Sequence, residues 1–330
     1  MSRLFSRRLA RAAAACSLAL LLSGCASLSS GFLNPAGEIA LQERQLFTVV
    51  GVVLIFVVGP VLLLTPLIAW HYRLANTKSA FRPDWRFSWK LEFLIWVPPA
   101  LIVVGLAVVL CNYTVRLDPY RPVPGASGAP LPIDVVSLDW KWLFIYPDQH
   151  IATVNQLMLP AGHPVHMYLT SGTVMQSLLM PRLAGQIYAM AGMQTQLNFE
   201  ISQPGTYWGE NTQYNGRGFP HQRFAIHGMA PQSFADWVKH AQANPAALDA
   251  KAYESLSVQS VVKHVRTYGQ VQSGLYRLVL HQEITPGYVP QHHEPPPADS
   301  RNPAKQPASG SGGPGSEKHG IRATGSRSHA

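Results

Sequence analysis

Two long apolar stretches dominate the hydropathy pattern of this 330-residue chain. Gln45–Trp70 and Phe93–Tyr113 contain no Asp, Glu, Lys or Arg, and each exceeds the roughly 20 residues that a helix needs to cross a bilayer. Prolines interrupt both, which a membrane tolerates where neighbouring helices satisfy the freed carbonyl groups. Buried core helices of a soluble protein fit this uniform apolarity poorly. We therefore predict two transmembrane helices, 45–70 and 93–113, that form an antiparallel hairpin.

After Tyr113 the pattern changes to short β-rich runs separated by Pro, Asp and Gly. In the run 164–170, for example, Val165, Met167 and Leu169 share one face, as the period of two in a strand requires. Strands at this spacing predict an all-β sandwich or barrel, here over residues 114–229. The predicted strands are 133–138, 140–146, 153–159, 164–170 and 194–201.

The pattern changes again after Met229, where helical periodicity begins. Pro231 can open a helix, and the apolar residues that follow recur at i, i+3, i+4 and i+7. We predict a helical extension over 230–284, with a second helix at 246–256, and a disordered tail over 285–330, where Pro, Gly, Ser, Lys and His prevail without periodicity. The apolar face of the first helix consists of Phe234, Trp237, Val238 and Ala241.

The N-terminus has the pattern of an export signal. Residues 1–24 contain four arginines and then an apolar run too short to span a bilayer. The signal ends Leu22-Ser23-Gly24-Cys25, which resembles the lipobox of bacterial lipoproteins and implies cleavage after Gly24 and a lipid anchor, including palmitate, on Cys25. The alternative is an ordinary signal peptide with a chance cysteine.

Charge fixes the expected topology. The connection 71–92 contains five Arg and Lys residues in its first twenty positions against one Asp, so the positive-inside rule predicts that it is cytoplasmic. Residues 25–44 and everything after Tyr113 are then periplasmic, on a bacterial inner membrane. The net charge of +9 lies mostly in the signal and this loop, because residues 112–284 hold 11 Arg and Lys against 10 Asp and Glu. A nucleic-acid partner therefore has no support.

Three long motifs resemble one family. The segments Val136–Pro147, Met180–Thr195 and Gln203–Gly209 resemble subunit II of heme-copper terminal oxidases, most closely the cytochrome bo-type branch that oxidises ubiquinol. The resemblance implies a cupredoxin-like periplasmic domain with an aromatic-rich C-terminal extension. It further implies subunit II of a proton-pumping ubiquinol oxidase, with hemes and copper in partner subunit I, further subunits III and IV, lipid contacts, and no cytochrome c partner.

The family's other branch, cytochrome c oxidase subunit II, binds the dinuclear copper centre CuA through two His, two Cys, one Met and a Glu carbonyl. Carried across by motif, the first His position falls on Gln176, the two Cys positions on Asn211 and Asn215, and the Glu position on Gln213. No cysteine follows Cys111 in this chain. Because amides cannot replace bridging thiolates, the resemblance implies that CuA is absent.

The second His position is less certain in register. The family's spacing places it on Phe219, and a two-residue insertion moves it to His221, with Phe224 in the Met position. Trp140 and Trp142 match a motif that lies on the electron path of the CuA branch. Without copper they are expected to anchor the core and the subunit interface.

No arrangement of side chains in this sequence indicates a catalytic centre, so we expect no catalytic residue, cofactor or metal in this chain. The apolar spans contain no ionisable carboxylate or amine, so proton transfer across the membrane through this chain is not expected. Two alternatives stay open: a cytochrome c oxidase subunit that does hold CuA, and a non-catalytic lipoprotein with a degenerate cupredoxin module.

Overall fold

The computed structural model describes residues 31–73, 75–77, 84–126, 128–262 and 264–284. It begins with two long helices, α1 (Glu38–His71) and α2 (Trp89–Arg116). Both are long and apolar enough to cross a membrane, so the prediction of two such helices is confirmed. The predicted signal peptide, the predicted lipidation site Cys25 and the predicted disordered tail lie outside the described residues.

Helix α1 begins seven residues before the predicted span because its first turns pack on the β domain. Ala40 is fully buried, and Ala36 both accepts from Ser202 N (2.9 Å) and donates to Arg182 O (2.7 Å). A Cβ on Gly37 would lie 2.4 Å from Glu200 O, so only glycine fits there. At about 1.5 Å per residue, the 34-residue helix α1 is longer than a bilayer is thick. The first turns of α1 are therefore free to make this contact.

The described part of the chain contains thirteen strands, ten in the β domain and three short ones in the extension that was predicted to be helical. Their bounds are β1 Leu131–Leu138, β2 Lys141–Tyr146, β3 Ile151–Val154, β4 Gln156–Pro160, β5 Pro164–Ser171, β6 Gln176–Met180, β7 Ala184–Ala189, β8 Thr195–Glu200, β9 Gly205–Asn211, β10 Arg223–Met229, β11 Ala247–Leu248, β12 Arg266–Tyr268 and β13 Gln270–Val271.

Two sheets form the predicted sandwich. The first has the order β12-β3-β2-β1-β5-β8 and the second β4-β10-β9-β6-β7, with β11 and β13 as a separate pair. Neighbours are antiparallel in both sheets except β1 with β5 and β4 with β10. A core of aliphatic and aromatic side chains fills the space between the sheets. The prediction of a β-sandwich is confirmed.

One predicted strand is wrong. The run 153–159 is two strands in different sheets, β3 and β4, with Asn155 between them at φ +58°. Asn155 tolerates this left-handed conformation, and its Oδ1 accepts from Trp142 N at 2.9 Å. The chain therefore crosses from one sheet to the other at a single residue. The sequence did not predict this crossing because residues of high β propensity stand on both sides of Asn155.

Three helices follow the sandwich: α3 (Pro231–Gln242), α4 (Ala250–Ser257) and α5 (Leu275–Leu280). The apolar face predicted for α3 packs on the core between the sheets. The second predicted helix starts later than expected, because residues 247–248 form β11 and Asp249 then caps α4 by accepting from Ala252 N at 2.7 Å.

The extension covers the outer face of the first sheet. Apolar side chains from α4 and α5 join Val136, Leu138, Leu143 and Ile145 in a second core. Strand β2 is consequently buried along its whole length, which explains why its sequence is a continuous apolar run rather than an alternating one.

Candidate functional site

The strand order brings the positions matched to CuA ligands together at one end of the second sheet. Gln176 begins β6, Asn211 ends β9, and Gln222 directly precedes β10. Because β9 is antiparallel to both β6 and β10, these three positions lie at the same edge. The hairpin between β1 and β2 reaches this edge from the other sheet, since Gln222 Nε2 donates to Leu138 O at 3.1 Å.

Gln222 is the hub of a buried network of amide side chains, named here the amide cluster and made of Gln176, Asn211, Asn215 and Gln222. Its Oε1 accepts from Asn211 Nδ2 (3.1 Å) and from Asn215 Nδ2 (2.8 Å). Its Nε2 donates to Gln176 Oε1 as well as to Leu138 O. Gln176, Asn211 and Gln222 are buried, so these bonds replace the hydration that the amides lose on folding.

Asn211 ties the cluster to the loop that follows β9. Its Oδ1 accepts from the backbone N–H groups of Ser177 and Gln213, both at 3.0 Å, and its Nδ2 donates to Gln213 O at 2.7 Å. Gln213 therefore contributes its backbone, and its side chain is not part of the network. One buried asparagine thus holds both β6 and the loop 212–222.

The structure does not bring His221 into the cluster. His221 ends a short 3₁₀ helix, Phe219–His221, and its side chain is exposed. Gln222, one residue later, takes the inward position that the sequence alignment gave to His221. The signal was present in the sequence: Phe224 and Ile226 point inward, and counting back by two along the strand reaches Gln222.

Trp140 closes the cluster from the β1–β2 hairpin. The predicted strand 140–146 included it, but Trp140 lies in the turn one residue before β2, at φ +66°, which is a strained conformation for a bulky side chain. Its Nε1 donates to Asn215 O at 3.1 Å. A Cβ on Gly218 would lie 2.0 Å from the Trp140 ring, so the ring packs directly on the loop backbone.

Trp142 lies deeper, in the core between the sheets, and is fully buried. Its ring centroid is 6.0 Å from that of Phe224, and the Phe144 ring is 4.9 Å from Phe224. Phe224, at the position matched to the CuA methionine, is therefore part of an aromatic core. This core lies deeper between the sheets than the amide cluster and supports it.

Lys141 connects this edge to the C-terminal extension. Its side chain is fully buried, and Nζ donates to Leu256 O (2.9 Å), Val258 O (2.7 Å) and Ser260 Oγ (2.9 Å). Burial lowers the pKa of Lys141 to about 8, and the nearby Asp139 carboxylate opposes part of that shift. Since carbonyl groups at the end of α4 carry partial negative charge, they are suitable partners for this amine.

The amide cluster does not have the donors that a dinuclear copper centre requires. Its side chains are neutral amides that bond to one another and to the backbone, and thiolate sulfur, the ligand that bridges soft copper, is missing from the sequence after Cys111. The residues present therefore do not fit CuA. What the arrangement does instead is fix the loop 212–222 against both sheets.

Two family models match parts of this chain. A family model described as cytochrome c oxidase subunit II, periplasmic domain, matches residues 133–227, and one described as COX aromatic rich motif matches residues 242–287. Among solved structures, the periplasmic domain of subunit II of cytochrome oxidase of Bradyrhizobium japonicum aligns at 20% identity with a TM-score of 0.33, covering 35% of this chain and 95% of that one.

Two curated relatives match most of the chain. Cytochrome bo(3) ubiquinol oxidase subunit 2 of Pseudomonas putida is 39% identical over 261 residues, which cover 79% of this chain and 82% of the relative. Ubiquinol oxidase subunit 2 of Acetobacter aceti is 41% identical over 265 residues, which cover 80% of this chain and 85% of the relative.

Proposed function

Given that this chain belongs to the family of cytochrome bo-type ubiquinol oxidase subunit II, we propose that it anchors and covers the oxidase without a redox centre of its own. It is a subunit of a quinol-oxidising oxidoreductase, as predicted. The relatives' names favour this function over the alternative of a CuA-containing cytochrome c oxidase subunit. In the complex the overall reaction is oxidation of ubiquinol by O2, which yields water.

The observation that supports a chain without a redox centre is the amide cluster. Gln176, Asn211 and Asn215, which stand at the first His position and the two Cys positions, all have amide side chains, and each of them bonds to the amide of Gln222. A network of this kind resists opening because replacing Gln222 leaves Asn215 Nδ2 and Gln176 Oε1 without the partner that it provides. We infer that the cluster now preserves the shape of the periplasmic cap, meaning the β domain and its extension.

The nature of the electron donor offers a physical reason why this chain would have amides in place of copper ligands. Ubiquinol is apolar and reaches the enzyme from within the bilayer, so the oxidase needs no water-exposed metal to receive electrons from a soluble protein. A face that steers a basic cytochrome c would benefit from excess negative charge, but residues 112–284 hold 11 basic against 10 acidic side chains. We therefore propose ubiquinol as the substrate of the complex and no cytochrome c partner.

The proposed partners are the other oxidase subunits. The apolar side chains of α1 and α2 are exposed along both helices, and we propose that they pack on subunit I and on membrane lipid, with subunits III and IV completing a proton-pumping complex. Hemes and copper belong, in this proposal, to subunit I. The complex would lie in the bacterial inner membrane, with the cap in the periplasm and a lipid anchor at Cys25.

Purification of the whole complex through a tag at residue 330 tests these proposals. We expect heme-containing subunit I to copurify, turnover with ubiquinol but not with reduced cytochrome c, and no near-infrared absorption from a mixed-valence copper pair. Near-infrared absorption with two additional copper atoms per complex would contradict the absence of CuA. Copurification of no heme protein would instead favour a free-standing lipoprotein. Mass spectrometry of the mature N-terminus tests Cys25 separately.

A further inference from the structure

A cavity of about 750 Å³ lies where the periplasmic ends of the two long helices meet the linker to the cap. This volume falls within the range of small-molecule sites, roughly 300–1,000 Å³. The ends of α1 and α2 and the linker supply its lining. The lining residues are Glu38, Gln42, Gln45, Tyr113, Arg116, Arg121, Pro122 and Pro124.

Two guanidinium groups in this cavity have nothing to pair with in the described part of the chain. Arg116 ends α2 and Arg121 follows in the linker, and neither side chain forms a hydrogen bond or an ion pair there. Guanidinium groups bind phosphate oxygens through two parallel N–H···O bonds. Two such groups on one cavity wall therefore suit a phosphate.

The cavity also contains one carboxylate. Glu38 begins α1, and its Oε1 accepts from Gln42 Nε2 at 3.0 Å, which leaves the second carboxylate oxygen available. A group that pairs a phosphate with an amine would complement both the two arginines and this carboxylate. A free phosphate could pair with the two arginines, but it offers no cationic group to the Glu38 carboxylate.

A groove of about 520 Å³ adjoins the cavity, and the two share Tyr113 and Arg121. Its lining includes the polar Thr114 and Asp118 near the linker, whereas Leu46 and Leu110, one from each helix, line it on the side of the apolar spans. A phospholipid whose phosphate lies at the two arginines can therefore place an acyl chain against Leu46 and Leu110.

We propose that this cavity binds the headgroup of a phospholipid with a primary amine, of the phosphatidylethanolamine class, in the outer leaflet. Arg116 and Arg121 bind its phosphate, Glu38 binds its ammonium group, and an acyl chain lies between Leu46 and Leu110. The proposal rests on the membrane orientation proposed above, which puts this end of the helices at the height of the outer headgroups.

The test uses the purified oxidase complex in phosphatidylcholine vesicles with a trace of phosphatidylethanolamine that carries a photoactivatable acyl chain. After irradiation, mass spectrometry should find lipid adducts on the peptides that contain Leu46 and Leu110. The double variant Arg116→Gln/Arg121→Gln should lose at least about tenfold of this labelling, since each charged hydrogen bond contributes about a factor of ten. The Glu38→Gln variant should lower the preference for ethanolamine over a choline headgroup while labelling persists.

Arg44→Gln is the matched control, because Arg44 lies at the same height of α1 but two residues from Gln42 and thus on another face. It should label as the unmodified chain does, and millimolar inorganic phosphate should not compete. Equal labelling in the double arginine variant, labelling that phosphate abolishes, or a groove that another subunit covers would each overturn the lipid site. Ubiquinol turnover of the same preparations reports on the proposed function separately, so the two failures are distinguishable.

Discussion

Replacing Gln222, which bonds to the other three side chains of the amide cluster, gives the sharpest test of the role of that cluster. In Gln222→Met a side chain of similar length removes all the amide bonds of residue 222. Asn211 keeps its bond to Gln213 O, but Asn215 Nδ2 and Gln176 Oε1 lose the partner that Gln222 provides. Each buried polar group without a partner costs about 1–3 kcal/mol. We expect the loop 212–222 to open more easily by about 3 kcal/mol.

Hydrogen–deuterium exchange of the purified complex measures this local opening. A change of about 3 kcal/mol corresponds to roughly a 150-fold larger opening constant, visible in peptides that span residues 206–224. Gln186→Met is the control, because Gln186 is an exposed glutamine of β7 in the same sheet and its replacement should leave those peptides unchanged. Exchange within about threefold of the unmodified chain would refute the view that the cluster holds the loop.

Three further predictions concern other contacts of the cap, each measured by exchange in the same complex and corrected for intrinsic rates. Burial lowers the pKa of Lys141 in the folded state to about 8. Above that pH the locally opened state therefore binds more protons than the folded state, so the protection of residues 250–260 should rise from about pH 8 towards the ordinary lysine pKa. In Lys141→Met the protection should not change with pH, and the same slope in that variant would exclude Lys141 as its source. In Gly218→Ala the new Cβ would lie 2.0 Å from the Trp140 ring. An overpacking cost of about 1–3 kcal/mol implies that exchange of residues 212–219 should increase by roughly 5-fold to 150-fold. Unchanged exchange would show that the ring moves away freely. In Gly37→Ala the new Cβ would lie 2.4 Å from Glu200 O, so residues 34–43 should lose protection. Gly51→Ala is the control, because a Cβ there meets no atom of this chain within 4 Å, and it should leave residues 34–43 protected. Equal effects of the two substitutions would argue against a specific contact of α1 with the cap.

Sequence patterns that repeat along one element predicted their structure well. The helices α1 and α2 follow from uninterrupted apolar composition, and the buried face of α3 follows from spacing at 3.6 residues per turn. The strand 153–159 was wrong because β propensity continues across Asn155, whereas the change of sheet depends on one left-handed residue. Likewise, nothing in β2 alone shows that the C-terminal extension covers its outer face.

The candidate site shows the same difference between what a local pattern predicts and what depends on tertiary contacts. From the sequence came the absence of cysteine after Cys111 and the matched positions Gln176, Asn211 and Asn215, because ligand chemistry depends on residue type. His221 was assigned by counting along an alignment through a loop of different length, and counting cannot tell which of two adjacent side chains points inward. The 3₁₀ turn before β10 decides that, and it selects Gln222.

What the sequence by itself determined is therefore the class of protein: a chain with two apolar spans and a β domain that lacks the sulfur ligands of CuA. These are properties of composition and local periodicity, which need no knowledge of distant contacts. What only the tertiary structure decided is which residues far apart in sequence come to lie close together. Gln222 with Leu138, Lys141 with the end of α4, and Arg116 beside Glu38 meet because strand order and helix packing bring them together, and no local pattern encodes that proximity.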